Sequence, residues 1–281
     1  MKSCEPHIST LSEYYIYSPS LTARSTFFYP ISTGHFIYEA GYHQYRNSYD
    51  SFLLMYIQSG ELSVNFEDRT ETVVSNHFVL LDCYRPHGYR TSTGWECIWC
   101  HFDGPMARAY YNLVTSHMGN IFSMHDPNSI IGKMQTIYHT FADNESIKEA
   151  LLSKYLSDIL TSMLLYMPID TNTQSHINVI EDTITYINEH FVEDLTINSL
   201  AARAMLSPYH FIRIFKKETG FTPHEYLINT RISSAKYLLK NTRISIKDIC
   251  FSTGFSCESV FCTSFKKNVG MTPAAYRQKI D

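Results

Sequence analysis

The 281-residue chain has no apolar run of about 18 residues, the length a membrane-spanning helix needs. Its N-terminus has no basic stretch followed by an apolar one, so neither export nor membrane insertion is expected. The seven cysteines are odd in number and lack the spacing of a disulfide framework, which fits a reducing cytoplasm. Cys97-Ile98-Trp99-Cys100 is formally a Cys-x-x-Cys, but it falls in a run that reads as a strand. Alternation there turns the two sulfurs to opposite faces, against a metal or redox role. No His-x-His pair occurs, and His35, His43, His77, His87 and His101 are scattered. The ligand set of a metal-dependent barrel oxygenase or isomerase is therefore missing, and no enzymatic activity, metal or cofactor is expected.

What is present is a repeat. Phe215-Lys216-Lys217-Glu218-Thr219-Gly220-Phe221-Thr222-Pro223 recurs fifty residues on as Phe265-Lys266-Lys267-Asn268-Val269-Gly270-Met271-Thr272-Pro273. A solenoid needs about three or more units, so two copies read as paired modules. In the first, Thr196 caps a short helix carrying Leu200 and Ala201, and Ser207-Pro208 opens a second helix. The second module has Ser245 and Asp248 spaced as a capping box, Gly254 in the turn and Ser256 as the next cap. Each is a helix-turn-helix.

The second helix of each module has two faces. Phe211, Ile214 and Phe215 form a core stripe, which leaves Ser207, Tyr209, His210, Ile212, Arg213, Lys216 and Lys217 as candidate DNA contacts. In the second copy Val260, Phe261 and Phe265 are expected to pack, with Ser256, Glu258, Ser259, Cys262, Thr263 and Lys266 facing outward. Between the modules, Thr222-Pro223-His224-Glu225 has the form of a capping box opening a helix to about Lys240. Roughly 18 residues at about 1.5 Å each span about 27 Å, near the ~34 Å of one DNA turn. Residues 1–177 hold 10 basic against 17 acidic side chains, whereas from Arg203 onward the balance is 13 against 5. A basic module on an acidic chain suits phosphate binding.

These residues, with Arg231-Ile232-Ser233-Ser234-Ala235-Lys236-Tyr237-Leu238-Leu239 and Gly254-Phe255, make residues 178–281 resemble the double helix-turn-helix domain of the AraC/XylS transcription regulators. Thr263 stands where that family often has arginine, the counterpart of Arg213, and a threonine offers no bidentate guanine clamp.

Residues from about 25 to 103 read as short strands, Phe52–Ile57, Leu62–Phe66, Thr72–Val74, Phe78–Leu81 and Glu96–Phe102, separated by turn signals such as Ser59-Gly60. They suggest a small barrel or jelly roll. Tyr38-Glu39-Ala40-Gly41-Tyr42, Asp82-Cys83-Tyr84-Arg85-Pro86-His87 and the segment from Trp95 to Gly104 are similar to the cupin-like sensor of sugar-responsive members of that family. Asn76-His77 replaces their usual Gly-Asp. Trp95, Cys97, Trp99 and His101 share one strand face, as pocket wall or barrel filler. The resemblance implies ligand contacts at Arg46, Tyr89, Cys97 and Trp99; His87 and His101 read as further contacts or as core histidines.

Residues 128–166 turn helical, broken at Asp143-Asn144-Glu145-Ser146. One stripe holds Ile130, Ile131, Met134, Ile137, Tyr138 and Phe141, and the other Ala150, Leu151, Tyr155, Leu156, Ile159, Leu160 and Met163. In the resembled family such a pair often dimerises; packing on the chain's own barrel is the alternative. The expected organisation is α+β: a cupin-like β-barrel at 1–127, a helical dimerisation segment at 128–167, a linker at 168–177 and an all-α double helix-turn-helix domain at 178–281. The expected function is transcription regulation in the cytoplasm. Its partners would be promoter DNA, a small-molecule effector, most simply a carbohydrate, a second copy of the chain, and RNA polymerase, with no membrane. The alternative is a regulator whose N-terminal domain makes dimer or partner contacts without a ligand.

Overall fold

The computed structural model describes residues 1–2, 5–67, 69–143, 145–165 and 171–279. The chain divides into two compact units, residues 1–168 and 169–281.

The first unit runs β1 (Glu13–Ile16), α1 (Leu21–Thr26), β2 (Tyr29–Glu39), β3 (His43–Arg46), β4 (Phe52–Phe66), β5 (Arg69–Val74), β6 (Phe78–Asp82), β7 (His87–Asp103), α2 (Ala107–Met118), β8 (Ile121–Phe122), α3 (Asn128–Ala142) and α4 (Glu149–Leu165). All eight strands join one sheet in the order β1-β2-β7-β4-β6-β8, with β3 on β7 and β5 on β4. Its spine is the antiparallel pair β4 and β7, aligned from Phe52↔Phe102 to Phe66↔His87. The turn expected at Ser59-Gly60 is not a turn. The pairing slips there by bulges, and one long strand bends through. Gly60 makes the bend, at φ +78° and so close to Gly94 that an added Cβ would lie 2.2 Å from its carbonyl oxygen. At Asn76, φ is +63°, a left-handed turn that asparagine tolerates in place of the resembled family's glycine.

Alternation divides the sheet's side chains between two cores. Leu53, Met55, Ile57, Trp95, Cys97 and Trp99 fill the inside. Phe52, Leu54, Tyr56, Ile98, Cys100 and Phe102 face outward beneath the helices. The two cysteines of the Cys-x-x-Cys thus lie in different cores, and burial raises both thiols, Cys100 to about 12. The helical pair packs on its own sheet through Ile130, Met134, Ile137 and Phe141 of α3 and Leu152, Leu156, Ile159, Leu160 and Met163 of α4. The expected stripe is off by one at its start: Leu152 is buried and Leu151 exposed. Leu152 lies four residues before Leu156 on one helix face, and Leu151 about 100° round from it.

The second unit is all helical: α5 (Thr171–His190), α6 (Ile197–Arg203), α7 (Pro208–Thr219), α8 (Pro223–Asn241), α9 (Ile246–Ser252), α10 (Glu258–Val269) and α11 (Pro273–Gln278). Of the expected linker, 168–170 lie outside the described residues, and from Thr171 the chain is already in α5. After Pro168 no proline or glycine interrupts it, and Ile180 and Ile187, one face two turns apart, bury against the first module. No helix among the described residues is long and apolar enough to cross a membrane.

Candidate functional site

The caps place the helices of both modules. Ser207 accepts from the His210 amide at the start of α7, with Pro208 at the first position. Thr222 and Glu225 close a reciprocal capping box on α8, and Ser245 accepts from the Asp248 amide at α9. The cap of α10 is Cys257, not Ser256, and it makes no side-chain cap bond. The fifty-residue offset puts Cys257 opposite Ser207; the one extra residue of the second module falls before it. The exposed thiol is lowered in pKa, first by its bond to the Ser259 hydroxyl, 3.2 Å away, and then by the Val260 amide.

Phe211 and Phe215 are buried in one module core, Phe261 and Phe265 in the other. Ser207, Tyr209, Arg213, Lys216 and Lys217 of the first module are exposed, and His210 and Ile212 half-buried. In the second, Ser256, Glu258, Ser259, Thr263 and Lys266 are exposed. Two assignments there exchange places. Cys262 packs against the core, and Val260, expected to pack, is 47% exposed. Helical geometry explains it: Cys262 lies about 80° and Val260 about 120° from the stripe centred between Phe261 and Phe265.

One helix joins the two modules. Leu227 of α8 enters the first core, and Ile232, Ala235 and Leu239 the second. Between them Arg231 donates from Nε to the Phe191 carbonyl (2.7 Å) and from Nη2 to that of Glu193 (2.8 Å), with its guanidinium 5.8 Å from the Phe255 ring centroid. Gly254, at φ +82°, lies against the same Phe191–Val192 backbone, where a Cβ would meet atoms at 2.8 Å. Arg231 and Gly254 therefore lock the turn of the second module to the loop that opens the first.

The first unit holds a cavity of about 410 Å³. Four of the expected ligand residues, Arg46, Tyr89, Trp99 and His101, line it. Cys97 and His87 do not: Cys97 is sealed in the inner core beside Trp95, and His87 is wholly buried. His87 Nδ1 donates to the Arg85 carbonyl at 2.8 Å, and Nε2 has no partner. Trp99 stands edge-on to Phe36 and His101, with centroids 5.3 and 5.5 Å apart. Its indole lies on Gly34, where any Cβ would come within 2.5 Å of the ring. The Trp99 N–H is buried without a hydrogen-bond partner, and the buried Tyr89 hydroxyl has the Cys83 thiol as its neighbour. His101 Nδ1 is 2.8 Å from the Ser51 hydroxyl, and burial, then the Arg46 charge, hold its imidazole down to about 3, so it is neutral.

Sequence reasoning missed several wall residues. Tyr42 and Gln44 precede Arg46 at steps of two, the alternation that puts β3 side chains on one face, so this signal was present. Tyr14, Phe36, Tyr38 and Tyr49 add aromatic wall. Glu5 had no local signal. The N-terminal segment brings it to the cavity by pairing with β2, the Glu39 amide donating to His7 at 2.8 Å and the Ser9 amide to Ile37 at 2.9 Å. Tyr42 donates toward the Glu5 carboxylate at 3.4 Å. Among the described residues no group of three or more histidine, cysteine or acidic side chains is placed to hold a metal ion.

Residues 32–160 match the family described as AraC-like ligand binding domain, and residues 200–279 that described as helix-turn-helix domain. The chain is 26% identical over 243 residues to the Msm operon regulatory protein of Streptococcus mutans, covering 82% of this chain and 85% of that protein. It is 24% identical over 264 residues to the MmsAB operon regulatory protein of Pseudomonas aeruginosa, 90% of this chain and 83% of the other. A shorter match, 45% over 98 residues, links it to the bifunctional transcriptional activator/DNA repair enzyme AdaA of Bacillus subtilis. That match covers 34% of this chain and under half, 46%, of AdaA.

Proposed function

The chain belongs to the AraC family of transcription regulators, joining an AraC-like ligand-binding domain to a DNA-binding helix-turn-helix domain, and on that premise we propose that a carbohydrate in the N-terminal cavity controls how it engages its promoter. The observation that carries the proposal is the cavity itself, walled by tyrosines and Trp99, with Arg46 and Gln44 among the residues that line it. Aromatic faces cover the C–H side of a sugar ring while polar side chains such as these bond its hydroxyls. The protein works in the cytoplasm as a homodimer and contacts RNA polymerase at the promoter. Leu151 and Leu165, exposed on α4, support a dimer surface there. An operon regulator matching over four-fifths of the chain supports regulation rather than catalysis.

The test is thermal denaturation of the intact protein against a panel of sugars. A sugar at about 100 times its Kd should add about 2.7 kcal/mol of stability. Trp99→Ala should abolish that shift. A Trp99→Ala protein that melts earlier, by the roughly 3–5 kcal/mol of a core truncation, yet keeps the whole sugar shift would make Trp99 filler and remove the pocket reading.

A further inference from the structure

We propose that the effector carries a carboxylate that pairs with Arg46, so that the ligand is a sugar acid rather than a neutral sugar; this rests on the carbohydrate reading of the same cavity. Arg46 is the one lysine or arginine among the cavity-lining residues, and it makes no ion pair among the described residues. Its recorded ring contact is the face of Tyr49, 5.3 Å from the centroid. The cavity's one carboxylate, Glu5, takes the Tyr42 hydroxyl. The Ser51-bound His101 adds no second positive charge.

A ligand that fills this cavity takes the place of solvent at the guanidinium. A polyol gives back only neutral acceptors. A carboxylate gives back two charged oxygens in the fork geometry that arginine matches, and its sugar ring still lies against Trp99 and Phe36. Recognition at Arg46 thus assigns the charge of the effector, and the aromatic wall its ring.

The experiment is calorimetric titration of the full chain with D-galacturonate against D-galactose, D-glucuronate against D-glucose, and benzoate as a carboxylate without a sugar ring. The inference expects at least one uronate to bind about tenfold or more tighter than its neutral partner, the step that a charge-assisted bond supplies. Arg46→Gln should erase that preference and Arg46→Lys restore part of it. A neutral sugar that binds as well as its acid, with Arg46→Gln unaffected, overturns the inference and leaves the carbohydrate reading standing. Benzoate binding that needs Arg46, with no response to any sugar or uronate, keeps the carboxylate and overturns the carbohydrate. No binding of any of the five at millimolar concentration overturns both.

Discussion

His101 is where burial and charge act on a single titratable group. Burial, then Arg46, then His87, lower its pKa to about 3, whereas an unfolded imidazole takes its proton near pH 6.5. Between those values the unfolded chain binds a proton that the folded chain refuses. The stability it allows is therefore complete above about pH 6.5 and is lost as the pH falls below it. One such group contributes a slope of at most about 1.4 kcal/mol per pH unit. His87 is lowered in the same direction, chiefly by burial, and adds to the effect. Denaturant titrations of the intact protein from about pH 5.5 to 6.5 should show stability rising with pH, and His101→Gln should flatten the rise. An unchanged slope in that variant would mean that His101 is hydrated in solution.

At the level of elements, the two recognition helices share a scaffold and differ in chemistry. Arg213 is exposed on α7, while its counterpart on α10 is Thr263. A guanidinium can grip guanine with two bonds and a hydroxyl makes one. Arg213→Ala should cost about 1–3 kcal/mol of specific binding and relax base preference, with Thr263→Ala costing less. Equal losses in quantitative binding assays would contradict the asymmetry. The helices were legible because their signals are local: caps at Thr196, Ser207, Thr222 and Ser245, and apolar side chains three and four apart. Cys257 was missed because a cysteine is no habitual cap, and only the fifty-residue register exposes it. The bend at Gly60 was misread as a turn because a glycine between two apolar runs signals either. What decides is the Gly94 backbone, more than thirty residues away in sequence. The cavity was half legible for the same reason. Trp99 and His101 follow from alternation along one strand, whereas Glu5 arrives through pairing of the N-terminal segment with β2.

For the whole molecule, charge and packing separate the two tasks. The acidic unit builds its own double core and encloses the cavity; the basic module surface lies in the other unit, with its own pair of cores. Within that second unit α8 enters both module cores, and Arg231 and Gly254 fix one module against the other. The two recognition helices are therefore presented as one rigid pair, which calls for two DNA elements rather than one. The most direct test is selection of duplexes by the purified full chain from a random-sequence pool, followed by affinity measurements at rising salt. The account predicts enrichment of a bipartite site with elements about one helical turn, or 10–10.5 base pairs, apart, and affinity that falls steeply as salt displaces phosphate contacts. An unenriched pool, or a single element bound with no dependence on salt, would contradict it.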